Sequence, residues 1–198
     1  MKKLLWIIFL IPLVTHAQFK KGDVYLGGTF SHYNAAGTFY ITPFVGYFVN
    51  PRLALGADLQ LSSSRSESAI QYADGIHQAV ITSRGVVLSL NARRLYTLSD
   101  KFFFALQGEI DYQRSFIKQE VHELNSTTRY NFYGFGLVVS PRFIYFPSSR
   151  WSIEGGLGSL GCSFSRNLSN DTNTQSVGLN LGQVTLGFAY YFRKQNST

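Results

Sequence analysis

His32, His77 and His122 are the side chains of this sequence best suited to moving a proton near neutral pH. Base catalysis also needs a nucleophile or an activated water in reach and a group that orients the imidazole. No serine stands two positions after any of the three, and no aspartate two positions before, so the histidines read as solvated side chains at the end of a strand and in polar loops. The run Gly156-Leu157-Gly158-Ser159-Leu160-Gly161 matches G-x-G-x-x-G, but a dinucleotide site needs that run to open a helix, with an acidic residue about 20 positions on. Here it continues a strand-like alternation into Cys162-Ser163-Phe164, and glycines that relieve crowding are the simpler account. Cys162 is the only cysteine. It has no histidine or cationic neighbour to activate it and reads as a small wall or interior residue. A different set carries more information: Asp58, Arg93, Glu109, Asp111, Arg142 and Glu154 recur on one parity of otherwise apolar segments, and the chemistry open to them is mutual ion pairing.

Those six are positioned by alternation. In Leu53-Ala54-Leu55-Gly56-Ala57-Asp58-Leu59-Gln60-Leu61 every second residue is apolar, which is the signature of an extended chain with two unlike faces. Seven further segments repeat it: Val24 to Ser31, Phe39 to Tyr47, Val86 to Arg93, Phe102 to Gln113, Tyr133 to Tyr145, Trp151 to Gly158, and Val184 to Phe192. Each is close to the roughly 9–11 residues that a tilted strand needs to cross a bilayer. The connections alternate too. Val49 to Arg52, Thr97 to Lys101 and Pro147 to Arg150 are tight, whereas Ser64 to about Ala79, Lys118 to Arg129 and Ser165 to Ser176 read as longer polar loops; Tyr33 to Gly37 is short. Short turns at one end and longer loops at the other are how outer-membrane barrels are built.

Aromatics form two groups. Tyr47, Tyr96, Phe102, Tyr145, Trp151, Tyr190 and Phe192 stand at the turn ends, and Phe30, Phe39, Tyr112, Phe116 and Tyr133 toward the loop ends, as girdles at two bilayer interfaces would. The faces opposite the apolar stripes carry Gly, Ser, Thr, Gln, Asn and a few charges of both signs rather than a solvent-like excess of Lys and Glu. Such faces suit a narrow lumen. Eight strands enclose only enough room for side chains, and charges held there must pair. An Arg/Asp/Glu network of Asp58, Arg93, Glu109, Asp111, Arg142 and Glu154 is therefore expected to plug the barrel, with Asp58, Arg93, Arg142 and Glu154, three to five residues from the short-turn ends, at similar heights; a pore lining is the competing reading.

Composition agrees with a membrane wall. Charged residues make up 15% and aromatics 16% of 198 residues, with 18 glycines, against roughly a quarter charged in ordinary soluble domains. No apolar run is long enough for a transmembrane helix. Lys2 and Lys3, the apolar run Leu4 to Val14, and Thr15-His16-Ala17 have the three-part form of an export signal, so residues 1–17 are read as a signal peptide and 18–198 as one barrel domain. Without Lys2 and Lys3 the 18 basic residues fall to 16, against 11 acidic. That excess is dispersed, which argues against nucleic acid as a partner.

"KGDVYLGGTFSHY", "TPFVGYFVNPRLALGADL", "NARRLYTLSDKFFF" and the closing "LGFAYYF" together resemble the outer-membrane β-barrel domain family common in Bacteroidota envelopes, small porin-like or outer-membrane-protein-A-like barrels. The resemblance spans about residues 21 to 192. Its most specific element is Pro43-x-Val45-Gly46-Tyr47-Phe48; where the family usually has R-Y-Y, this chain has Arg93-Arg94-Leu95-Tyr96. The resemblance implies an eight-stranded antiparallel up-and-down transmembrane barrel in the bacterial outer membrane. It also implies that the terminal aromatic, Phe192, is read by the barrel-insertion machinery, although Arg193 to Thr198 follow it. The family is defined by architecture and supplies no substrate. The expected function is a structural or surface-interaction role without catalysis or cofactor, with a narrow channel or solute-binding barrel as the alternative and a lipid-modifying enzyme behind it. Expected partners are outer-membrane lipid and lipopolysaccharide. Arg65, Arg84, Arg114, Lys118, Arg129 and Arg166 near the loop ends could meet lipid phosphates, though chance surface charge accounts for them equally well.

Overall fold

In the computed structural model the described residues are 19–33, 37–72 and 75–193; the segment read as an export signal lies outside them. Eight strands run β1 (Val24–Tyr33), β2 (Thr38–Asn50), β3 (Leu53–Tyr72), β4 (Gly75–Thr97), β5 (Phe102–Val121), β6 (Ser126–Tyr145), β7 (Trp151–Asn167) and β8 (Thr172–Phe192). Each pairs antiparallel with the next, and β8 returns to β1 from Val24↔Phe192 to His32↔Val184, closing an up-and-down barrel. Closure removes the exposed edges that an open sheet of such apolar strands would present.

The two faces sort by alternation. Leu55, Leu59, Leu88, Leu90, Ile110, Leu137, Leu186 and Phe188 are exposed on the outside, Leu90 at 65%. The inward positions Asp58, Ser89, Asn91, Arg93, Gln107 and Glu154 are buried. A soluble protein does not expose a continuous apolar belt of this extent. Along β4 the belt runs from Arg94 to Arg84, both exposed. Ten residues of strand at about 3.3 Å each, tilted about 40°, span about 25 Å of barrel axis, the height of the apolar band on a membrane barrel.

Three expected loops are instead strands. Ser64 to Ala79, Lys118 to Arg129 and Ser165 to Ser176 continue the ladders up to Tyr72↔Gly75, Val121↔Ser126 and Asn167↔Thr172. His77 accordingly sits in β4 and not in a loop. Above the apolar band both faces of a strand meet water, so Ser, Thr, Gln and Arg occupy both parities and the period of two disappears while backbone pairing continues. Sharp reversals end the hairpins: a 3-10 turn at His122–Leu124 followed by Asn125 at φ 47°, and Asp171 at φ 56°. The β1–β2 hairpin is much shorter, so on that side the wall is low.

Parity also slips, along β7 at Gly158 and along β8 between Leu181 and Val184. Gly158 has φ +71°, where a Cβ would fall 2.3 Å from the Asn180 carbonyl oxygen, and the β7–β8 register shifts between Leu157 and Ser159. This bulge places both Leu157 and Leu160 outside, and with Leu160 it turns Cys162 outward, opposite Leu137 and Val177. The glycine run is thus a strand irregularity. Because Cys162 is the sole thiol, a bimane attached to it is expected to be quenched strongly by brominated acyl chains and weakly by aqueous iodide; the reverse pattern would place that face in water.

Candidate functional site: the sealed lumen

Small inward residues make room for large ones at the short-turn end. Tyr25 on β1 faces Gly46 on β2, where a Cβ would come within 2.1 Å of the Tyr25 ring. Phe48 lies opposite Ala54, and Leu95 opposite Ala105. With Phe103, Ile144, Phe146 and Tyr191 they form a buried apolar cluster. Its centre comes from outside the barrel strands. Phe19 stacks on Phe48 (4.5 Å, 6°) and meets Phe103 at 5.1 Å and Phe146 at 5.5 Å edge-on. A turn holds it there, through Asp23 N–H to the Lys20 carbonyl, Gly22 N–H to the Phe48 carbonyl and Phe48 N–H to the Asp23 carbonyl. Arg193, just after β8, covers the cluster at 5.3 Å from the Phe19 ring and 5.4 Å from the Phe146 ring. Burial there holds its guanidinium below its usual range. The lower lumen is therefore an aromatic cap, which corrects the expectation of a polar lumen throughout: Phe19 precedes the first strand, and the inward aromatics alternate with outward ones.

The polar layer rests on this cap. Arg93, 1% exposed, donates from Nη1 to both oxygens of Glu154 (2.9 and 3.2 Å) and from Nε to Gln107 Oε1 (2.8 Å). Its guanidinium lies 5.2 Å from the Tyr25 ring centre and 5.5 Å from that of Phe44, a desolvated cation–π arrangement. Glu154 also accepts from Ser152 Oγ and the Tyr191 hydroxyl, both at 3.3 Å. Gln107 Nε2 donates to Glu109 (2.9 Å) and more weakly to Asp58 (3.4 Å), and Asn91 Nδ2 donates to Asp58 at 2.9 Å. Arg142 stands 3.9 Å from Glu109, close enough for an ion pair but not a hydrogen bond. Asp111 makes no ion pair among the described residues; it is hydrogen-bonded to Ser89 and has one carboxylate oxygen unpartnered.

Five of the six charged residues expected in the lumen thus share one connected layer, and Asp111 belongs to a cavity above it. That cavity has a volume of about 190 Å³ and is lined by Thr29, Thr42, Ser89, Arg142, Ser159 and Thr185 among others. Sequence reasoning passed over Gln107, Asn91 and Tyr191, although all three fall on inward parity. Neutral amides and a phenol do not announce themselves as partners until the register places carboxylates beside them. Phe192 is exposed at the end of β8, opposite Val24 and 4.9 Å from Tyr190. His32 is exposed, its ring 4.5 Å from Phe39, and His77 is bonded to Glu123 across the top of the barrel; the His122 side chain is outside the described residues. None of the described histidines reaches the polar layer. The arrangement ties together six strands, β3 to β8, and fills the bore with charge-paired and aromatic side chains.

No family model matches the sequence, and no curated protein matches it. Solved structures do share its architecture. The N-terminal β-barrel domain of Pseudomonas aeruginosa OprF superposes with a TM-score of 0.50 at 12% identity, covering 88% of this chain and 100% of that one. A major outer membrane protein from Thermus thermophilus gives 0.59 at 14% identity, covering 86% and 99%. At these identities the likeness is one of fold.

Proposed function

We propose that this chain is an integral outer-membrane β-barrel with a structural or surface-interaction role, exported by residues 1–17 and inserted with Phe192 as its terminal signal. Supporting the membrane reading are the apolar belt about 25 Å tall, its aromatic margins, and architectural likeness to outer-membrane barrels. The narrower tie to the Bacteroidota family rests on the quoted sequence motifs. The observation that carries the functional reading is the Arg93–Glu154 clamp seated on the aromatic cap. A bore filled by a buried ion pair and by packed ring and aliphatic side chains opposes a continuous water path, which supports a sealed barrel over a channel. Against catalysis at this layer speaks the state of Glu154: the two hydroxyls that donate to it, of Ser152 and Tyr191, are buried, and the carboxylate is committed to Arg93.

Two measurements test this. The full chain should fractionate with outer membranes and show heat-modifiable gel mobility; recovery as a soluble periplasmic monomer would sink the membrane reading. In planar bilayers the pure protein should give no reproducible conductance steps. Stable steps would replace the sealed barrel with a narrow channel.

A further inference from the structure

The outer wall is not uniform around its circumference. At the upper margin of the apolar belt the low side, β1 and β2, presents Phe30, His32 and Phe39. The strands that follow, β3–β6, present a basic cluster. In the ladder Arg65 faces Thr82, Thr82 faces Lys118, and Lys118 faces Arg129; one row below, Arg84 faces Phe116; one row below that, Arg114 faces Val86 and Tyr133. All five basic side chains lie on the outward parity of β3–β6. Most of them line a depression of about 810 Å³ together with Phe39, Phe116 and Asn131.

The charge there is not balanced within the protein. Lys118 is bonded to Glu120 at 2.7 Å, and Glu67 is the other acidic residue on this face, one row higher. Arg114 leans on Phe116 at 5.5 Å. Arg65, Arg84 and Arg129 have no side-chain hydrogen bond or ion pair among the described residues. Directly opposed like charges such as Lys118 and Arg129 destabilise a sheet unless something anionic sits between them.

Lower on the wall a groove of about 740 Å³ crosses β4–β8, sharing β4–β6 with the cluster. Its floor is Gly108 beside Ala92, and a Cβ added at Gly108 would touch nothing within 4 Å. Leu90, Ile110, Leu137 and Val139 form its sides. From Arg114 down to Gly108 is six residues, about 20 Å along the strand and about 15 Å along the axis at a tilt of about 40°. That length is about half the roughly 30 Å hydrocarbon core, so an acyl chain that leaves its headgroup beside Arg114 reaches Gly108.

We infer that β3–β6 form a site for one outer-leaflet lipid of the bis-phosphorylated, multiply acylated saccharide class, its phosphates held by Arg84, Arg114, Lys118 and Arg129 and one acyl chain laid in the groove over Gly108. The inference rests on the membrane orientation proposed above. Spaced cations in two or three rows fit more than one phosphate, and basic residues at a lipid surface each add favourable attraction to anionic headgroups.

The test uses the full chain refolded in phosphatidylcholine vesicles and titrated separately with diphosphoryl lipid A, its deacylated phosphosaccharide and inorganic phosphate. Heat-modifiable mobility is recorded for every sample. The Arg84→Ala/Lys118→Ala/Arg129→Ala variant is expected to lose lipid A binding by about tenfold or more, and Gly108→Phe to weaken lipid A several-fold while leaving the phosphosaccharide unchanged. If the triple alanine variant does not fold, Arg84→Gln/Arg129→Gln replaces it with the same expectation. Lipid A binding indifferent to these substitutions, or inorganic phosphate binding as tightly as lipid A, overturns the inference. Wild-type protein that folds and shifts on heating yet binds no lipid A overturns this site alone; wild-type protein that never inserts overturns the orientation beneath it.

Discussion

Replacing Glu154 with alanine is expected to lower the unfolding free energy by about 3–5 kcal/mol, because it strands the Arg93 guanidinium in a site from which water is excluded. Both partners are 1% exposed, so solvent screening offers no relief. Glu154 further satisfies Ser152 and Tyr191, whose hydroxyls lose an acceptor in the same stroke. Arg93→Met/Glu154→Met together should recover most of the loss, since removing both charges also removes their desolvation cost. Urea titrations of vesicle-folded protein, followed by Trp151 fluorescence, measure all three. A Glu154→Ala midpoint equal to wild type would mean that the clamp does not hold the barrel.

The second large effect concerns the cap. Phe48→Ala should cost about 3–5 kcal/mol, the range for emptying a buried aromatic site. It removes the ring on which Phe19 stacks and the wall beside Tyr25. Because Phe48 faces Ala54 across the ladder, Phe48→Ala/Ala54→Phe returns the lost volume from the neighbouring strand and should regain part of the stability. Leu90→Ala is the contrast. Its side chain is exposed on the outer wall, and if lipid surrounds it, folding brings little change in its apolar environment. A loss below about 1 kcal/mol is expected, whereas the same change in a soluble core costs about 2–5 kcal/mol. Equal losses for Phe48→Ala and Leu90→Ala would contradict the inside–outside assignment.

The legibility of this fold followed the contrast between its two surroundings. Leu53 to Leu61 declared itself because one neighbour was apolar and the other polar, so each side chain reported its face. From Ser64 upward that contrast vanishes, and Ser66, Glu67 and Ser68 look like loop although they are paired with Ile81, Val80 and Ala79. The slip at Gly158 left only a faint trace, two outward leucines three positions apart instead of two. Within the lumen, the charged residues stood out because so few of them interrupt the strands. Their pairing did not: Arg93 on β4 meets Glu154 on β7 across the bore, and which heights coincide depends on the stagger of the closed sheet, which no single strand encodes. Phe19 was invisible for a plainer reason, since a lone aromatic before the first strand carries no periodicity at all.

The seam between β1 and β8 has a consequence for how the molecule comes into being. Its two sides are the first and last strands of the chain, so the contact that completes the cylinder cannot form until synthesis and export have delivered every other strand. Until then an unfinished curved sheet holds two bare margins, and β1, bonded only to β2, must wait for a partner at the far end of the sequence. A polypeptide cut short anywhere before Val184 has no route to a smaller closed version of itself.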